Sequence, residues 1–246
     1  MSSEFAHEIE EVKRILAEAE YVVFFGGAGV STDSGIPDFR SNSGLYGSQN
    51  VGNEYYLSKA CLKNEPEKFY EFFRKNMIFP EAEPNGAHRA LAELESMGIL
   101  KAVITQNIDG LHQMAGSERV IEIHGTSGRY YCTRCGKVFD EEIIHGKEVV
   151  PRCSECGGTV RPDVTLYGEA LDGFSYNEAV NEILNADVLI VGGSSLTVHP
   201  AASLLDVFHG EHLIIINYSK TPYDGWAEYI IRDSLSEVLT EIVKSL

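Results

Sequence analysis

The stretch FFGGAGVSTDSGIPDFRS, residues 24–41, decides how the rest of the chain is interpreted. It begins at the end of an apolar run and continues into Gly27-Ala28-Gly29, a tight turn that lets backbone amides approach a pyrophosphate after a strand. Thr32 stands where the dinucleotide-binding fingerprint has its third glycine, and no acidic residue ends a second strand about 20 residues further on. These two departures argue against a hydride-transferring dehydrogenase.

The second half of this stretch indicates another use of the turn. Pro37 stiffens a loop, the ring of Phe39 can shield a reacting sugar from water, and the guanidinium of Arg40 can pair with phosphate. The alternative is an ordinary surface turn.

Length and charge bound the class of protein. The chain has 246 residues, 43% of them hydrophobic, which is enough for one large domain with a full core. Its 37 acidic and 20 basic side chains give a formal net charge of −17, a field that repels nucleic acid and tolerates cationic, lysine-rich partners. No apolar run is long enough to cross a bilayer, and residues 1–20 are acidic and unlike a secretory signal. We therefore expect a cytoplasmic protein without a nucleic-acid or membrane partner.

Short β-rich apolar runs alternate with helical patterns along most of the chain. The predicted strands are residues 21–25, 102–105, 120–123, 188–191 and 213–217. The predicted helices are residues 4–20, 87–97, 176–185, 201–208 and a last helix that starts at the capping box Ser234-x-x-Glu237. This alternation predicts an α/β fold, a doubly wound, Rossmann-like parallel sheet covered on both faces.

Two segments interrupt the alternation. Residues 42–85 are rich in aromatic side chains and helical in part, and residues 128–160 carry four of the five cysteines. We interpret both as insertions that together form a smaller helical and zinc-ribbon domain. The large domain then consists of residues 1–41, 86–127 and 161–246.

The four cysteines form two Cys-x2-Cys pairs, Cys132 with Cys135 and Cys153 with Cys156. Two such turns complete a closed tetrahedral zinc site that has no open position for water, so we expect a structural metal. The alternatives are an iron–sulfur cluster and free thiols. Cys61, which stands alone, is expected to be a small packed residue.

Polar side chains follow two of the predicted strands. Gln106, Asn107 and Asp109 come after one strand, and His124 comes after the next. Ligands bind outside the carboxyl ends of parallel strands, so these side chains can hold an amide and a ribose, and an imidazole suits a general base at neutral pH. The alternatives are helix capping by Asn107 or Asp109 and a structural role for His124.

Together these motifs resemble the sirtuins, a family of NAD-dependent protein-lysine deacylases, in the bacterial type with a four-cysteine zinc module. The resemblance covers nearly the whole chain, and its motifs follow one another in the family's order. Besides the cysteines they are Gly27-Ala28-Gly29-Val30-Ser31, Ser34-Gly35-Ile36-Pro37-Asp38-Phe39-Arg40, Thr105-Gln106-Asn107-Ile108-Asp109, His124-Gly125, Val164-x-x-Tyr167-Gly168-Glu169, Gly193-Ser194-Ser195-Leu196 and Ile216-Asn217.

The resemblance implies NAD as co-substrate, bound between the large and small domains, and one structural zinc ion. It implies that His124 is the general base, that Gln106 orients the ribose, and that Asn107 completes the catalytic set. The implied NAD contacts are Gly27, Ala28, Gly29, Ile36, Phe39, Arg40, Gln106, Asn107, Ile108, Asp109, Gly193, Ser194, Ser195 and Asn217. The implied zinc ligands are Cys132, Cys135, Cys153 and Cys156. The implied contacts of an extended peptide, added as a strand, are Val164, Leu166, Tyr167, Gly168, Glu169 and Val198.

The activity that the resemblance implies is transfer of an acyl group from a protein lysine to ADP-ribose, with release of nicotinamide and O-acetyl-ADP-ribose. Acetylated-lysine proteins or peptides are the implied partners, and we expect a monomer. Phe73 and Asn76 stand where relatives that favour negatively charged acyl groups have Tyr and Arg, which favours acetyl or an uncharged longer group. The alternatives are a protein mono-ADP-ribosyltransferase on the same fold and a non-catalytic, NAD-responsive binding module.

Overall fold

The structure, a computed structural model, describes residues 5–39, 44–45, 52–244 and 246. The α-helices of the described residues are α1 (Ala6–Glu18), α2 (Lys59–Asn64), α3 (Pro66–Met77), α4 (Gly86–Ser96), α5 (Leu111–Ala115), α6 (Gly173–Asn185) and α7 (Leu235–Val243). The β-strands are β1 (Val22–Gly26), β2 (Leu100–Thr105), β3 (Val120–Glu122), β4 (Gly125–Cys132), β5 (Val138–Asp140), β6 (Val160–Val164), β7 (Val188–Gly192), β8 (His212–Ile216) and β9 (Tyr229–Ile231). None of the helices in the described ranges is both long and apolar enough to span a membrane.

Six of the strands form one sheet in the order β3-β2-β1-β7-β8-β9. Every neighbouring pair in this sheet is parallel. From β1 the chain winds outward to β2 and β3, then returns to β7 and continues to β8 and β9 on the other side. The prediction of a doubly wound, Rossmann-like sheet is confirmed. The winding reverses between β1 and β7, which is where such folds bind their ligands.

The central strands end level with one another. Gly26, the last residue of β1, pairs with Thr105 of β2 and with Gly192 of β7. Gly192 pairs in turn with Ile216 of β8, and Thr105 pairs with Glu122 of β3. The segments that follow these strands therefore leave the sheet side by side, at its carboxyl edge.

Both faces of the sheet are covered because alternate residues of a strand point to opposite sides. Phe24 belongs to a core shared with α1, α4 and α7, whereas Phe25 belongs to a second core shared with α6 and the 3₁₀ helix Ala201–Val207. Both rings are 0% exposed. Burying a side chain of this kind stabilises the fold by about 1.5–3 kcal/mol, so each face holds its helices firmly.

A few elements differ from the prediction. Residues 201–208, predicted as a helix of ordinary spacing, form a 3₁₀ helix over Ala201–Val207. Strand β9 and helix α5 lie where no element was predicted, because a three-residue edge strand and a five-residue helix are too short to show a periodic pattern. The last helix starts at the predicted cap, since the Ser234 side chain accepts the backbone N–H of Glu237 at 3.2 Å, while the Ser234 N–H donates to Asp233 Oδ1 at 2.8 Å.

The two predicted insertions share a third hydrophobic core. It combines Phe69 and Phe73 of α3 with Tyr130 of β4 and Val160 of β6. Strands β5, β4 and β6 form a separate antiparallel sheet beside it. Arg74 of α3 donates hydrogen bonds to three backbone carbonyls of the cysteine-bearing segment, those of Ile144, Glu148 and Val149. The helical insertion and the cysteine segment are thus one packed unit, while the exact domain boundaries stay a prediction.

Candidate active site

A cavity of about 600 Å³ lies at the carboxyl edge of the six-stranded sheet and extends to the third core. Every described residue predicted to bind NAD or peptide, or to act in catalysis, lines it. These are Gly27, Ala28, Gly29, Ile36, Phe39, Gln106, Asn107, Ile108, Asp109, His124, Val164, Leu166, Tyr167, Gly168, Glu169, Gly193, Ser194, Ser195, Val198 and Asn217. Arg40 lies outside the described residues. The structure therefore brings the predicted site together, although the role of each residue stays a prediction.

The glycine turn after β1 is locked against the turn after β7. The N–H groups of Gly27 and Gly29 donate to the carbonyls of Gly192 and Gly193 at 3.3 and 2.8 Å. A Cβ atom on Gly29 would lie 2.7 Å from the Cα of Gly193, so no larger residue fits there without movement of the backbone. The close approach of the two turns is therefore enough to explain why glycines stand here. Their contact with a diphosphate stays a prediction.

Gln106 connects the end of β2 to the turn after β7. Its backbone N–H donates to the carbonyl of Gly26 at 3.0 Å, and its side-chain Nε2 donates to the hydroxyl of Ser194 at 2.9 Å. Ser194 is 5% exposed. The amide of Gln106 is therefore held in one orientation, at the place where the winding reverses between β1 and β7, and it faces the cavity.

His124 follows β3 and its ring is oriented by the same loop. The ring Nδ1 lies 3.0 Å from the backbone carbonyl oxygen of Gln106. A carbonyl only accepts hydrogen bonds, so Nδ1 carries the hydrogen and Nε2 of the neutral ring is left as the basic atom. Burial lowers the pKa of His124 below its ordinary value of 6.5, and the hydrogen bond to Gln106 opposes this only in part. The imidazole is therefore neutral and basic at pH 7.

Ser31 organises the other side of the cavity. Its hydroxyl donates to Asp109 Oδ2 at 2.7 Å and accepts a hydrogen bond from Asn107 Nδ2 at 3.0 Å. The second oxygen of Asp109 accepts the N–H of Leu111 at 3.0 Å. Asp109 therefore bonds the start of α5 with one oxygen, as the capping alternative proposed, and Ser31 with the other. Ser31 is 1% exposed, and it fixes Asn107 and Asp109, two polar side chains that were predicted to contact NAD.

A buried histidine behind Ser31 was not anticipated from the sequence. His88 Nδ1 accepts the backbone N–H of Asn85 at 3.3 Å, which puts the hydrogen on Nε2, 3.4 Å from the Ser31 hydroxyl. Burial lowers the pKa of His88 to about 4, so the ring is neutral and acts as a donor. The Asn85 side chain caps α4 at the Ala87 N–H. An Asn three residues before a His is a signal for this arrangement, but it is equally typical of an ordinary helix start.

His112 of α5 packs against His88, with ring centroids 4.8 Å apart. It is 1% exposed, and neither ring nitrogen has a hydrogen-bond partner among the described residues. Burial lowers the pKa of His112 to about 3. Both histidines are therefore neutral in the folded protein at pH 7.

Residues 164–169, which we name the substrate segment, run from β6 along the cavity wall. Val164 pairs with Gly125 in the antiparallel sheet, and the N–H of Thr165 donates to the carbonyl of His124 at 2.8 Å. Tyr167 forms an isolated parallel bridge with Ser58 of the helical insertion. The substrate segment is thus tied both to His124 and to the smaller unit.

The four cysteines meet at one point of the smaller unit. Their sulfur atoms all lie within 4.8 Å of one another, with Cys132 and Cys156 at 3.4 Å and Cys135 and Cys153 at 3.6 Å. Four Zn–S bonds of about 2.3 Å in a tetrahedron place sulfur atoms about 3.8 Å apart. The set fits one structural zinc ion. Cys61, as predicted, is packed, 0% exposed and outside this cluster.

Comparison with known proteins agrees with this geometry. A sequence model of the Sir2 family matches residues 27–200. A Clostridium acetobutylicum protein named NAD-dependent protein deacetylase is 52% identical over 240 residues, covering 96% of this chain and 98% of the relative. A solved Sir2 complex with p53 peptide and NAD superposes with a TM-score of 0.87 at 40% identity, covering 96% of this chain and 98% of that one. A Sir2 variant with deacetylated p53 peptide and 3'-O-acetyl-ADP-ribose superposes with a TM-score of 0.90 at 38% identity, with the same coverage. The chain belongs to the Sir2 family.

Proposed function

We propose that this protein is an NAD-dependent protein-lysine deacetylase, which transfers the acyl group to ADP-ribose and releases nicotinamide. The observation that carries the proposal is the neutral imidazole of His124, held by Gln106 and lining one cavity together with Asn107, Asp109 and the substrate segment. Family membership supports it, since the C. acetobutylicum relative is named for this activity.

NAD has a matching set of residues in the cavity. The locked turns after β1 and β7 would hold its diphosphate, the Asn107 and Asp109 side chains its nicotinamide amide, and Asn217 its adenosine ribose. When bound, NAD would supply an anomeric carbon whose bond to nicotinamide is broken and a ribose hydroxyl that receives the acyl group, and one water molecule, consumed after nicotinamide has left, would balance the release of the free lysine amine. Phe39, which also lines the cavity, excludes water from this point.

His124 performs the proton transfer. Its Nε2 accepts a proton from a ribose hydroxyl that Gln106 orients, and the Gln106 carbonyl stabilises the resulting imidazolium through Nδ1–H. A positioned base of this kind contributes about 10²–10⁴-fold to the rate.

The cavity wall favours an uncharged acyl group. Its charged lining residues are all acidic: Asp33, Asp38, Asp109, Glu169 and Asp233, with no lysine or arginine among the described lining residues. Phe73 is 0% exposed, and the Asn76 side chain donates to the carbonyl of Phe72 at 2.9 Å. A carboxylate on the acyl chain would find no cation among these residues, whereas acetyl or a longer apolar chain needs none.

The surroundings of the site complete the proposal. The cavity extends from the six-stranded sheet to the third core, which supports the division into a large domain and a smaller one formed by residues 42–85 and 128–160. The partner is an acetylated-lysine protein or peptide, the protein is a monomer, and its compartment is the cytoplasm.

Product analysis tests the proposal. The protein is incubated with NAD and a panel of acetyl-, butanoyl- and succinyl-lysine peptides, and the products are identified by mass spectrometry. We expect free lysine peptide, nicotinamide and O-acetyl-ADP-ribose in equal amounts from the acetyl peptide, and little turnover of the succinyl peptide. A mass gain of one ADP-ribose on the peptide or protein would instead indicate an ADP-ribosyltransferase. NAD binding without nicotinamide release would indicate a non-catalytic module.

A further inference from the structure

Arg161, three residues before the substrate segment, forms a largely buried ion pair with Glu169, the last residue of that segment. Arg161 Nη1 and Nη2 donate to Glu169 Oε1 and Oε2 at 2.7 and 2.9 Å, a two-pronged contact. Only 9% of the arginine side chain and 18% of the glutamate side chain are exposed. Burial alone would raise the pKa of Glu169, but the hydrogen bonds from Arg161 and from the Leu166 N–H, together with the charges of Arg161 and Lys59, leave that pKa below its ordinary value. Both groups are therefore charged at pH 7.

The pair also satisfies the backbone of the segment between its members. Arg161 Nη2 donates to the carbonyl of Val164 at 2.7 Å, and Arg161 Nε donates to the carbonyl of Pro162 at 3.2 Å. Glu169 Oε2 accepts the N–H of Leu166 at 3.0 Å. Arg161 and Glu169 thus bond three backbone groups: the carbonyls of Pro162 and Val164 and the N–H of Leu166.

These contacts determine which backbone groups of the substrate segment stay open to a peptide. The N–H of Leu166 is taken by Glu169, and the N–H of Tyr167 is taken by the Leu57 carbonyl at 3.0 Å. The carbonyls of Leu166 and Tyr167 are also bonded, to the N–H groups of Glu169 and Lys59 at 2.9 and 3.0 Å. A peptide strand would therefore pair with the backbone groups of the substrate segment that these bonds leave. A flexible segment would have to be ordered at the moment of binding, which weakens affinity.

We infer that Arg161 and Glu169 are positioning residues that preorganise the substrate segment for peptide binding. The inference rests on the proposed function, because it takes an acyl-lysine peptide as the molecule bound there. Neither residue takes part in proton transfer. The pair acts through the segment, whose Thr165 is bonded to the backbone of His124.

Steady-state kinetics tests the inference with the double variant Arg161→Met/Glu169→Met. Both charges are removed together, because a single substitution would leave an unpaired buried charge. We expect the KM for acetyl peptide to rise about 10-fold or more, with kcat and the KM for NAD changed by about twofold at most. Arg161→Lys, which keeps the charge but not the two-pronged contact, should lie between wild type and the double variant.

The matched control is Arg129→Met. It breaks the Arg129–Asp163 ion pair of the same strand pair, β4 and β6, where 60% of the arginine side chain is exposed. All three kinetic constants should stay within about twofold of wild type, because exposed pairs contribute little. If kcat and the KM for NAD change as much as the peptide KM in the double variant, the pair is a general fold element and the inference is wrong.

A second measurement does not depend on activity. Hydrogen exchange at the Leu166 amide should be about 10-fold or more faster in the double variant, while the amides of β1 exchange as in wild type. An unchanged rate at Leu166 would overturn the inference. If wild-type protein consumes no NAD with any acetylated peptide, the proposed function fails, and the exchange rate still decides whether the pair orders the segment. Should the double variant not fold, Arg161→Lys provides both measurements.

Discussion

The ring of His124 and the backbone carbonyl of Gln106 are joined by a 3.0 Å hydrogen bond at Nδ1. This single contact fixes the tautomer of the base, because the carbonyl accepts only an N–H. It also joins the two strand ends on which the proposed chemistry depends, since Gln106 follows β2 and His124 follows β3. The basic atom, Nε2, is thereby left for the proposed proton transfer.

The pH dependence of kcat/KM should follow from this environment. Burial places the pKa of His124 below 6.5, so the ring is neutral above that pH and becomes protonated below it. Activity should therefore fall on the acid side with a midpoint below 6.5 and be nearly level around pH 8. A midpoint above pH 7 would contradict the conclusion that burial lowers the pKa of His124. The profile is measured with saturating NAD and limiting acetyl peptide.

Ser31→Ala should weaken NAD use without unfolding the protein. The substitution leaves Asp109 and Asn107 without the hydroxyl that holds both of them. A hydrogen bond to a charged group contributes about 1.5–3 kcal/mol, so kcat/KM for NAD should fall about 10- to 100-fold. Ser236→Ala, a serine of helix α7 outside the cavity lining, is the control and should leave kcat/KM unchanged. If Ser31→Ala keeps the wild-type kcat/KM for NAD, the Ser31 hydroxyl does not position Asn107 and Asp109 for the use of NAD.

His112→Leu should make the protein less sensitive to acid. The pKa of His112 is about 3 in the folded protein but near 6.5 in the unfolded chain. The unfolded state therefore binds an extra proton between these values, and stability is lost as pH falls from about 6.5. Removing the ring should reduce the loss by up to about 1.4 kcal/mol for each pH unit.

The free energy of urea unfolding, measured between pH 7 and 5, checks this expectation. His145→Asn is the matched control, because 55% of the His145 side chain is exposed. Equal pH slopes for wild type and His112→Leu would show that the buried ring does not contribute to acid sensitivity.

Metal analysis should find one zinc ion per chain. Cys153→Ala removes a buried ligand and should abolish zinc binding, whereas Cys61→Ala, which removes the buried cysteine outside the cluster, should retain one ion. Zinc contributes about 10 kcal/mol or more in small zinc modules, so chelation should unfold residues 128–160 and lower the Tm. Full zinc content in Cys153→Ala would contradict the four-sulfur site.

The sequence predicted the parts of the site that follow directly from strand ends. Buried β-rich runs placed the carboxyl ends of β1, β2, β3 and β7, and polar residues directly after them had to meet at one edge. Strand ends alone were therefore enough to place Gln106 and His124 at this edge, while their roles were implied by the resemblance to the sirtuins, and the cysteine spacing located the metal cluster.

The sequence did not predict contacts that depend on how distant elements pack. His88 meets Ser31 across 57 positions of the chain, and this depends on the angle at which α4 covers the sheet. The pairing of Arg161 with Glu169 was missed for another reason. The turn from Leu166 to Glu169 does carry a glycine signal, Gly168 with a φ of 86°, but a turn signal does not show which distant side chain will meet Glu169.

Replacement of His124 by alanine tests the central claim most directly. NAD affinity, measured by calorimetry, and formation of O-acetyl-ADP-ribose, measured by mass spectrometry, are compared between wild type and His124→Ala. The account predicts NAD binding within about threefold of wild type and product formation reduced about 10²–10⁴-fold. A variant that deacetylates peptide at a rate near that of wild type would contradict it.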